Sequence, residues 1–294
     1  MTSRWALAVH GGAGVSPTRD YSEVEAHLQA LATAGHLRLE AGASALDTVQ
    51  WAVAEMERSG LYVAGRGSAP NRAGIVEFDA AIMDGTGPRA GAVAAIQDVQ
   101  SPITAARAVM DLTPHVLLAG DGATAFAREA GLDPIGEDPE FFRLAVGVEP
   151  HELEAQGDAL AHGTVGAVAL DRAGRLAAAT STGGLFGKRP GRVGDTPLPG
   201  AGTWADSGIA ISCTGVGEHF ILAGGAGDVA ARIRYAGTPP KAAAEAMLAK
   251  VAMLGGDGGL IALGLDGMPI FAWNSRGLKR AAAGSHVAPF VLVT

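Results

Sequence analysis

The segment HGTVGAVALD, residues 162–171, decides how this chain is read. Past Gly163 it alternates like a strand, with Thr164, Gly166 and Val168 sharing one face. Carried further, TVGAVALDRAGRLAAATST reads as a hairpin turning across Asp171 to Gly174. A β-branched residue opening a strand is ordinary. A glycine directly before it, where Ser, Asn or Asp would make the usual turn, calls for another reason.

Chemistry supplies one. A threonine hydroxyl is a weak nucleophile until a base takes its proton, and the α-amine of a chain that begins with that threonine is such a base. A free α-amine titrates near about 7.7–8.0, so it needs no large shift to work at neutral pH. The nitrogen of Thr164 is an amide inside the chain, so this use requires a cut between Gly163 and Thr164. Gly163 presents no side chain to crowd attack on its carbonyl and tolerates a strained conformation. The stretch from about 135 to 163 is rich in Asp, Glu, Pro and Gly and reads as an acidic linker, so a polar segment precedes the cut and a buried strand follows it.

Outward from this point the chain alternates hairpins with paired helices. WALAV reads as a buried strand ending at HGGAG, followed by helices over 22–42 and 44–58, the second opening with the capping pattern SALD. A glycine-rich loop, VAGRGSAPNRAG, precedes a strand in which Val76, Phe78, Ala80 and Ile82 alternate. AGAVAAI and HVLLAG read as strands, and residues 102–112 and the segment DGATAFAREAG as helices. After the central hairpin come a glycine-rich loop (183–202), the strand GIAISCTG, helical stretches near 218–235 and 240–254, and a second hairpin turning at Asp266-Gly267. The pattern is α+β rather than repeating βαβ.

Composition narrows the function. The formal charge is 22 minus 30, or −8, with no basic cluster, which argues against nucleic acid and anionic membrane as partners. The single cysteine, Cys213, excludes an intrachain disulfide and a multi-cysteine zinc site, and its setting in GIAISCTG reads as a buried small hydrophobe. No segment approaches the roughly 20 apolar residues of a membrane span, and the start is too short in apolar residues for a secretory signal, so cytoplasm is the expected compartment. The run from Gly120 to Ala125 fits G-x-G-x-x-A but lacks the second strand of a dinucleotide-binding unit. The histidines form no H-x-x-x-H or H-E-x-x-H pair, and no G-x-S-x-G elbow occurs. His10, His115 and His219 flank glycine-rich turns and read as hydrogen-bonded structural residues.

Taken in order, AVHGGAG, AGRGSA, DAAIMDG, TPHVLLAGDGA, GTVGAVALD, ATSTGG, PGRVGDTPLPGAG and SCTGVGE span nearly the whole chain and resemble the plant-type asparaginases or isoaspartyl peptidases, a family of N-terminal nucleophile hydrolases. The resemblance implies a four-layer αββα sandwich. It also implies autocleavage into an α subunit (1–163, with the acidic linker 135–163 at its end) and a β subunit (164–294) that stay together as one structural domain. The implied substrates are small molecules, L-asparagine and β-aspartyl dipeptides, and the implied assembly is a dimer of αβ units. By motif, Thr164 resembles the nucleophile and Thr182 the threonine that hydrogen-bonds it. Arg192 and Asp195 resemble the residues that grip the substrate α-carboxylate and α-ammonium, for which a guanidinium fork and a counter-charge are suited. Thr214 and Gly215 resemble the oxyanion hole, and Gly217 the position whose carbonyl meets the ammonium.

The pattern is not followed everywhere. Val63 stands where FNAG would place asparagine, and Val216 where TGTG would place threonine. Val63 lies where some relatives form a sodium-binding loop. No cofactor or catalytic metal is expected; a structural Na⁺ near Gly65, held by backbone carbonyls, is the one ion the resemblance admits. Gly224, Gly225 and Gly227 interrupt the helix after GEHFILA with no evident reason. Three alternatives stand beside an asparaginase: a glycosylasparaginase, a protease resembling threonine aspartase, and a non-catalytic relative that binds a small molecule.

Overall fold

A computed structural model describes residues 4–87, 89–146, 148 and 163–294. The expected acidic linker at 135–163 lies mostly outside the described residues. Strand β1 (Ala6–Ala13) leads into helices α1 (Ser22–Glu40) and α2 (Ala45–Ser59). Strands β2 (Phe78–Asp84) and β3 (Arg89–Ile96), helix α3 (Pro102–Leu112), strand β4 (Leu117–Ala119) and helix α4 (Gly120–Glu129) follow. Past Gly163 come β5 (Val165–Leu170), β6 (Leu176–Thr182), β7 (Thr203–Ala205) and β8 (Ile209–Gly215). Helices α5 (Gly217–Ala223), α6 (Gly225–Ala236) and α7 (Pro240–Met253) precede β9 (Gly258–Gly264), β10 (Pro269–Trp273), β11 (Leu278–Gly284) and β12 (Val287–Val293).

Two sheets result. One has eight strands in the order β12-β11-β1-β5-β6-β2-β3-β4, and the other four, β10-β9-β8-β7. Every pairing is antiparallel except β3 with β4. Alternation along β5 sends Val165, Ala167 and Ala169 to a core shared with Leu28 of α1, Val49 of α2 and Ile103 of α3. Val168 and Leu170 point the other way, into a core with Ile261 and Leu263 of β9. On the smaller sheet Leu260 and Ala262 face outward to a third core, with Val229 of α6 and Met247 of α7. Both faces of both sheets are therefore buried, which explains why the central strands read as nearly unbroken apolar runs. Among the described residues no helix is long and apolar enough to cross a membrane.

The expected central hairpin and both helix pairs are present. Ser44 caps α2, accepting from the Asp47 amide at 3.0 Å. Its hydroxyl donates to the Asp47 carboxylate at 2.7 Å, which replaces the reciprocal bond of a full capping box. HGGA does not end β1 but continues it, with a register shift between His10 and Ala13 against β11. Gly120 opens α4 and no strand follows among the described residues before 163, so the G-x-G-x-x-A run is a strand-to-helix turn. The glycine interruption is steric. Gly224 takes φ 78° to end α5, and a Cβ at Gly225 would lie 2.0 Å from the Ala201 carbonyl, which accepts the Ala226 amide at 2.8 Å. Cys213 is buried in the outer core of the small sheet.

The turn between β5 and β6 is tied to the start of α2 through Asp171. Its buried carboxylate accepts from the amides of Ala45, Ala173 and Arg175 at 3.0, 2.9 and 3.1 Å, and from Arg175 Nε at 2.8 Å. Replacing Asp171 with Ala strands three amides and is expected to cost about 2–4 kcal/mol, measured as a lower denaturation midpoint.

Candidate active site

Residue 164 enters β5 between β1 and β6, near the middle of the large sheet. Thr164 is buried. Gly163, just before it, is wedged against Val63, whose side chain would lie 2.9 Å from a Cβ at that position. On the other side Gly12, at φ 100°, comes so close that a Cβ there would sit 3.4 Å from the Thr164 nitrogen. The glycine before the threonine thus answers to the close approach of Val63.

That carbonyl is held. Thr182, the last residue of β6, donates from Oγ1 to the Gly163 oxygen at 2.6 Å and accepts the Gly184 amide at 2.9 Å. The two ends of the β5–β6 hairpin therefore meet at the peptide bond between Gly163 and Thr164.

A small cleft, about 10 Å³ in volume, brings Gly163, Thr164 and Thr182 together with Arg192, Asp195, Gly215 and Gly217. That is room for about one water molecule. Of the residues expected at the site, Thr214 alone does not line the cleft; its hydroxyl accepts from the Ala13 amide at 3.2 Å and keeps its proton to donate elsewhere. Gly217, the first residue of α5, packs on Asp195 so tightly that a Cβ would lie 2.8 Å from Oδ1.

Asp195 carries the main electrostatic signal. Its Oδ2 is buried with no hydrogen-bond partner among the described residues. Burial pushes its pKa up to about 7, against its own backbone hydrogen bond and the Arg192 charge, while Asp79 and Glu218 push the same way as burial. An orphaned carboxyl oxygen in a cleft is a site for a donor, and an ammonium meets both its hydrogen-bonding and its charge requirement. Arg192 gives Nε and Nη2 to the Glu218 carboxylate at 2.8 and 2.6 Å, which fixes the guanidinium plane. Nη1 makes no hydrogen bond among the described residues and is the donor left for an incoming carboxylate.

Sequence patterns missed the residues that hold this loop. Buried Asp79 accepts from the amides of Ala95 at 2.8 Å and Gly194 at 3.3 Å. Burial raises its pKa, with Lys188 opposing. Lys188 Nζ donates to the Glu77 carbonyl at 2.9 Å, and the Glu77 carboxylate accepts from Asn71 Nδ2 and the Gly191 amide, each at 2.9 Å. The available signal was Asp79 itself, a charge set among Phe78, Ala80 and Ile82. His10, expected to be structural, is hydrogen-bonded: its Nε2 lies 2.9 Å from Ser212 Oγ, which leads to Thr180 at 2.8 Å and on to Thr203 at 2.7 Å. Burial pushes His10 down to about 3, against a hydrogen bond with the Thr164 backbone, so the ring is neutral. Of the other two, His115 donates its backbone amide to Thr113 Oγ1 at 3.0 Å, while His219 Nδ1 is buried without a hydrogen-bond partner among the described residues.

No group of three metal-ligating His, Cys, Asp or Glu side chains occurs among the described residues. The loop expected near Gly65 is a single 3-10 turn, Gly65–Gly67. Carbonyls crowd around it: a Cβ at Gly65 would lie 2.5 Å from the Glu57 oxygen, and one at Gly67 1.9 Å from that of Tyr62 and 3.0 Å from that of Gly60. Carbonyl oxygen is the donor type a hard cation takes, and the one on Tyr62 already accepts the Ala64 amide at 2.7 Å.

A family model described as asparaginase matches residues 3–293. The isoaspartyl peptidase of Escherichia coli (strain K12) is 42% identical, with 94% of this chain and 91% of the relative covered. The plant-type L-asparaginase of Pyrobaculum calidifontis is 41% identical, over 93% and 95%. The probable isoaspartyl peptidase/L-asparaginase 2 of Arabidopsis thaliana is 38% identical, over 95% of each. With the match running from one end of the sequence to the other, the chain belongs to the asparaginase family typified by these isoaspartyl peptidases and plant-type L-asparaginases.

Proposed function

We propose that this chain is a threonine amidohydrolase that cuts itself between Gly163 and Thr164 and then releases aspartate from L-asparagine and β-aspartyl dipeptides. The observation that carries this reading is the meeting, in one buried cleft, of the Thr182-bound Gly163 carbonyl with the orphaned Asp195 carboxyl.

In maturation Thr164 Oγ adds to the Gly163 carbonyl carbon, whose oxygen gains charge against the Thr182 hydroxyl. The C–N bond breaks, the nitrogen takes the proton and an ester remains. Water hydrolyses the ester, leaving a carboxylate on Gly163 and a free amine on Thr164. The cleft, too small for substrate in the uncut chain, opens as Gly163 withdraws.

In turnover the Thr164 amine takes the proton of its own hydroxyl, and Oγ attacks the side-chain carbonyl of the substrate. Arg192 binds the α-carboxylate, and Asp195 with the Gly217 carbonyl binds the α-ammonium. The Thr214 hydroxyl and the Gly215 amide hold the oxyanion. Ammonia or an amino acid leaves, and water releases aspartate. The three cores support a four-layer αββα arrangement, with an α subunit ending at Gly163 and a β subunit starting at Thr164, in a cytoplasmic dimer of αβ units. Na⁺ held by the Glu57, Gly60 and Tyr62 carbonyls would stiffen the loop that carries Val63 and would take no part in the reaction.

Thr164→Ala should stay one uncut chain by intact mass and release no ammonia from asparagine, whereas Thr164→Ser should be cut; a cleaved, active Thr164→Ala protein would refute the assignment. The acid limb gives a second check. Asp195 must be charged to hold an ammonium, and its pKa of about 7 lies above the ordinary carboxylate value, so substrate affinity is gained as pH rises through about 7 and lost below it. KM for asparagine should therefore climb as pH falls below neutrality. Asp195→Asn should lower kcat/KM on the order of 10²-fold and flatten that climb in KM, read from steady-state ammonia release.

A further inference from the structure

Gly163 is also a wall between two cavities. One is the cleft with Thr182, Arg192 and Asp195; the other, about 390 Å³, shares Gly163 in its lining but none of those three residues. The second volume falls within the range of small-molecule sites, roughly 300–1,000 Å³. Arg19, Arg276 and Lys279 line it, with Asp257 as the counter-charge and Tyr62 beside Gly163. Three cations converge here in a chain whose formal charge is −8. The Lys279 ammonium donates to the Gly14 carbonyl at 3.0 Å and stands 5.6 Å from the Tyr21 ring. Burial, with the Arg19 charge adding, pushes it down to about 8. Arg276 is exposed. Among the described residues neither Lys279 nor Arg276 pairs with a carboxylate.

From this arrangement we infer that the larger cavity is the leaving-group subsite, in which Lys279 and Arg276 select β-aspartyl peptides whose departing residue carries a free α-carboxylate. The inference rests on the function proposed above. It follows from where the two cavities meet. Once the Gly163–Thr164 bond is cut, the residue separating them is released, and both open at the Thr164 hydroxyl and amine. The aspartyl half of a substrate then occupies the Arg192 and Asp195 side, and the departing half faces the cations. In a β-aspartyl dipeptide the departing carboxylate is only roughly 4 Å from the carbonyl carbon under attack, at standard bond lengths. It therefore enters the near part of the cavity, with the remaining volume open to its side chain. The ammonia that leaves asparagine has no carboxylate and gains nothing from these cations.

The test compares β-aspartyl-leucine with its C-terminal amide, β-aspartyl-leucinamide, on the matured enzyme, with asparagine as reference. Wild type should favour the acid over the amide in kcat/KM on the order of 10-fold, and added salt should shrink that preference. Lys279→Met should bring the ratio toward one. Arg276→Gln, at an exposed position, should lower it as well and keeps the test valid if the lysine variant is poorly folded. A wild-type ratio near one, or a ratio unchanged in both variants, overturns the subsite while asparagine hydrolysis leaves the proposed function standing. Wild-type protein that releases aspartate from none of the three compounds overturns both.

Discussion

A hydroxyl at the end of one strand grips the carbonyl that precedes its neighbour. The 2.6 Å bond from Thr182 Oγ1 to the Gly163 oxygen closes the open end of the β5–β6 hairpin, and most of the site is arranged around it. A buried carbonyl needs a partner. Here the partner comes from a side chain, the Thr182 hydroxyl, and the carbonyl is that of the residue just before Thr164. Val63 closes in on residue 163, where a Cβ would lie 2.9 Å from its side chain, so a glycine fits there without a shift. Packing and reactivity thus make the same demand on one position.

Buried charge is concentrated where the loop from 188 to 196 crosses β2. Asp79, Glu77 and Lys188 carry the loop on backbone amides and carbonyls, and Glu218 sets the plane of Arg192. Groups of this kind are costly to bury unless their bonds are made, and each makes them. Asp195 is the exception. Its Oδ2 is buried with no hydrogen-bond partner among the described residues, which costs the folded protein free energy. His10, Ser212, Thr180 and Thr203 form a hydrogen-bonded chain without net charge that packs against Gly166 of β5.

Much of this was legible in the sequence for physical reasons. The central hairpin was legible because a turn of Asp171 to Gly174 joins two runs buried on both faces, and the helix pairs because their periodicity and the Ser44 cap are local signals. Residues 278–293 were not: LKRAAAG mixes cations into an alanine run, and β11 is a strand because its register against β1 buries that alanine face. HGGA reads as a turn and is a strand because His10 pairs with Arg280 on one side and Gly166 on the other, and Ala13 with Leu278 beyond a register shift. Gly224 and Gly225 carry no local explanation until the Ala201 carbonyl is seen pressed against the start of α6.

By itself the sequence determined the α+β pattern, the place where an internal threonine could become an N-terminus, and, through its ordered motifs, the residues to watch. Those are properties of order along the chain: period, turn chemistry and motif spacing. Only the tertiary structure decided that Thr182 reaches the Gly163 carbonyl, that Asp195 Oδ2 has no partner among the described residues, and that Glu218, Asp79 and Lys188 support the loop from 188 to 196. It alone set Gly163 between two cavities. These are matters of distance and burial among residues far apart in sequence, and desolvation and hydrogen bonding act on that distance rather than on spacing along the chain.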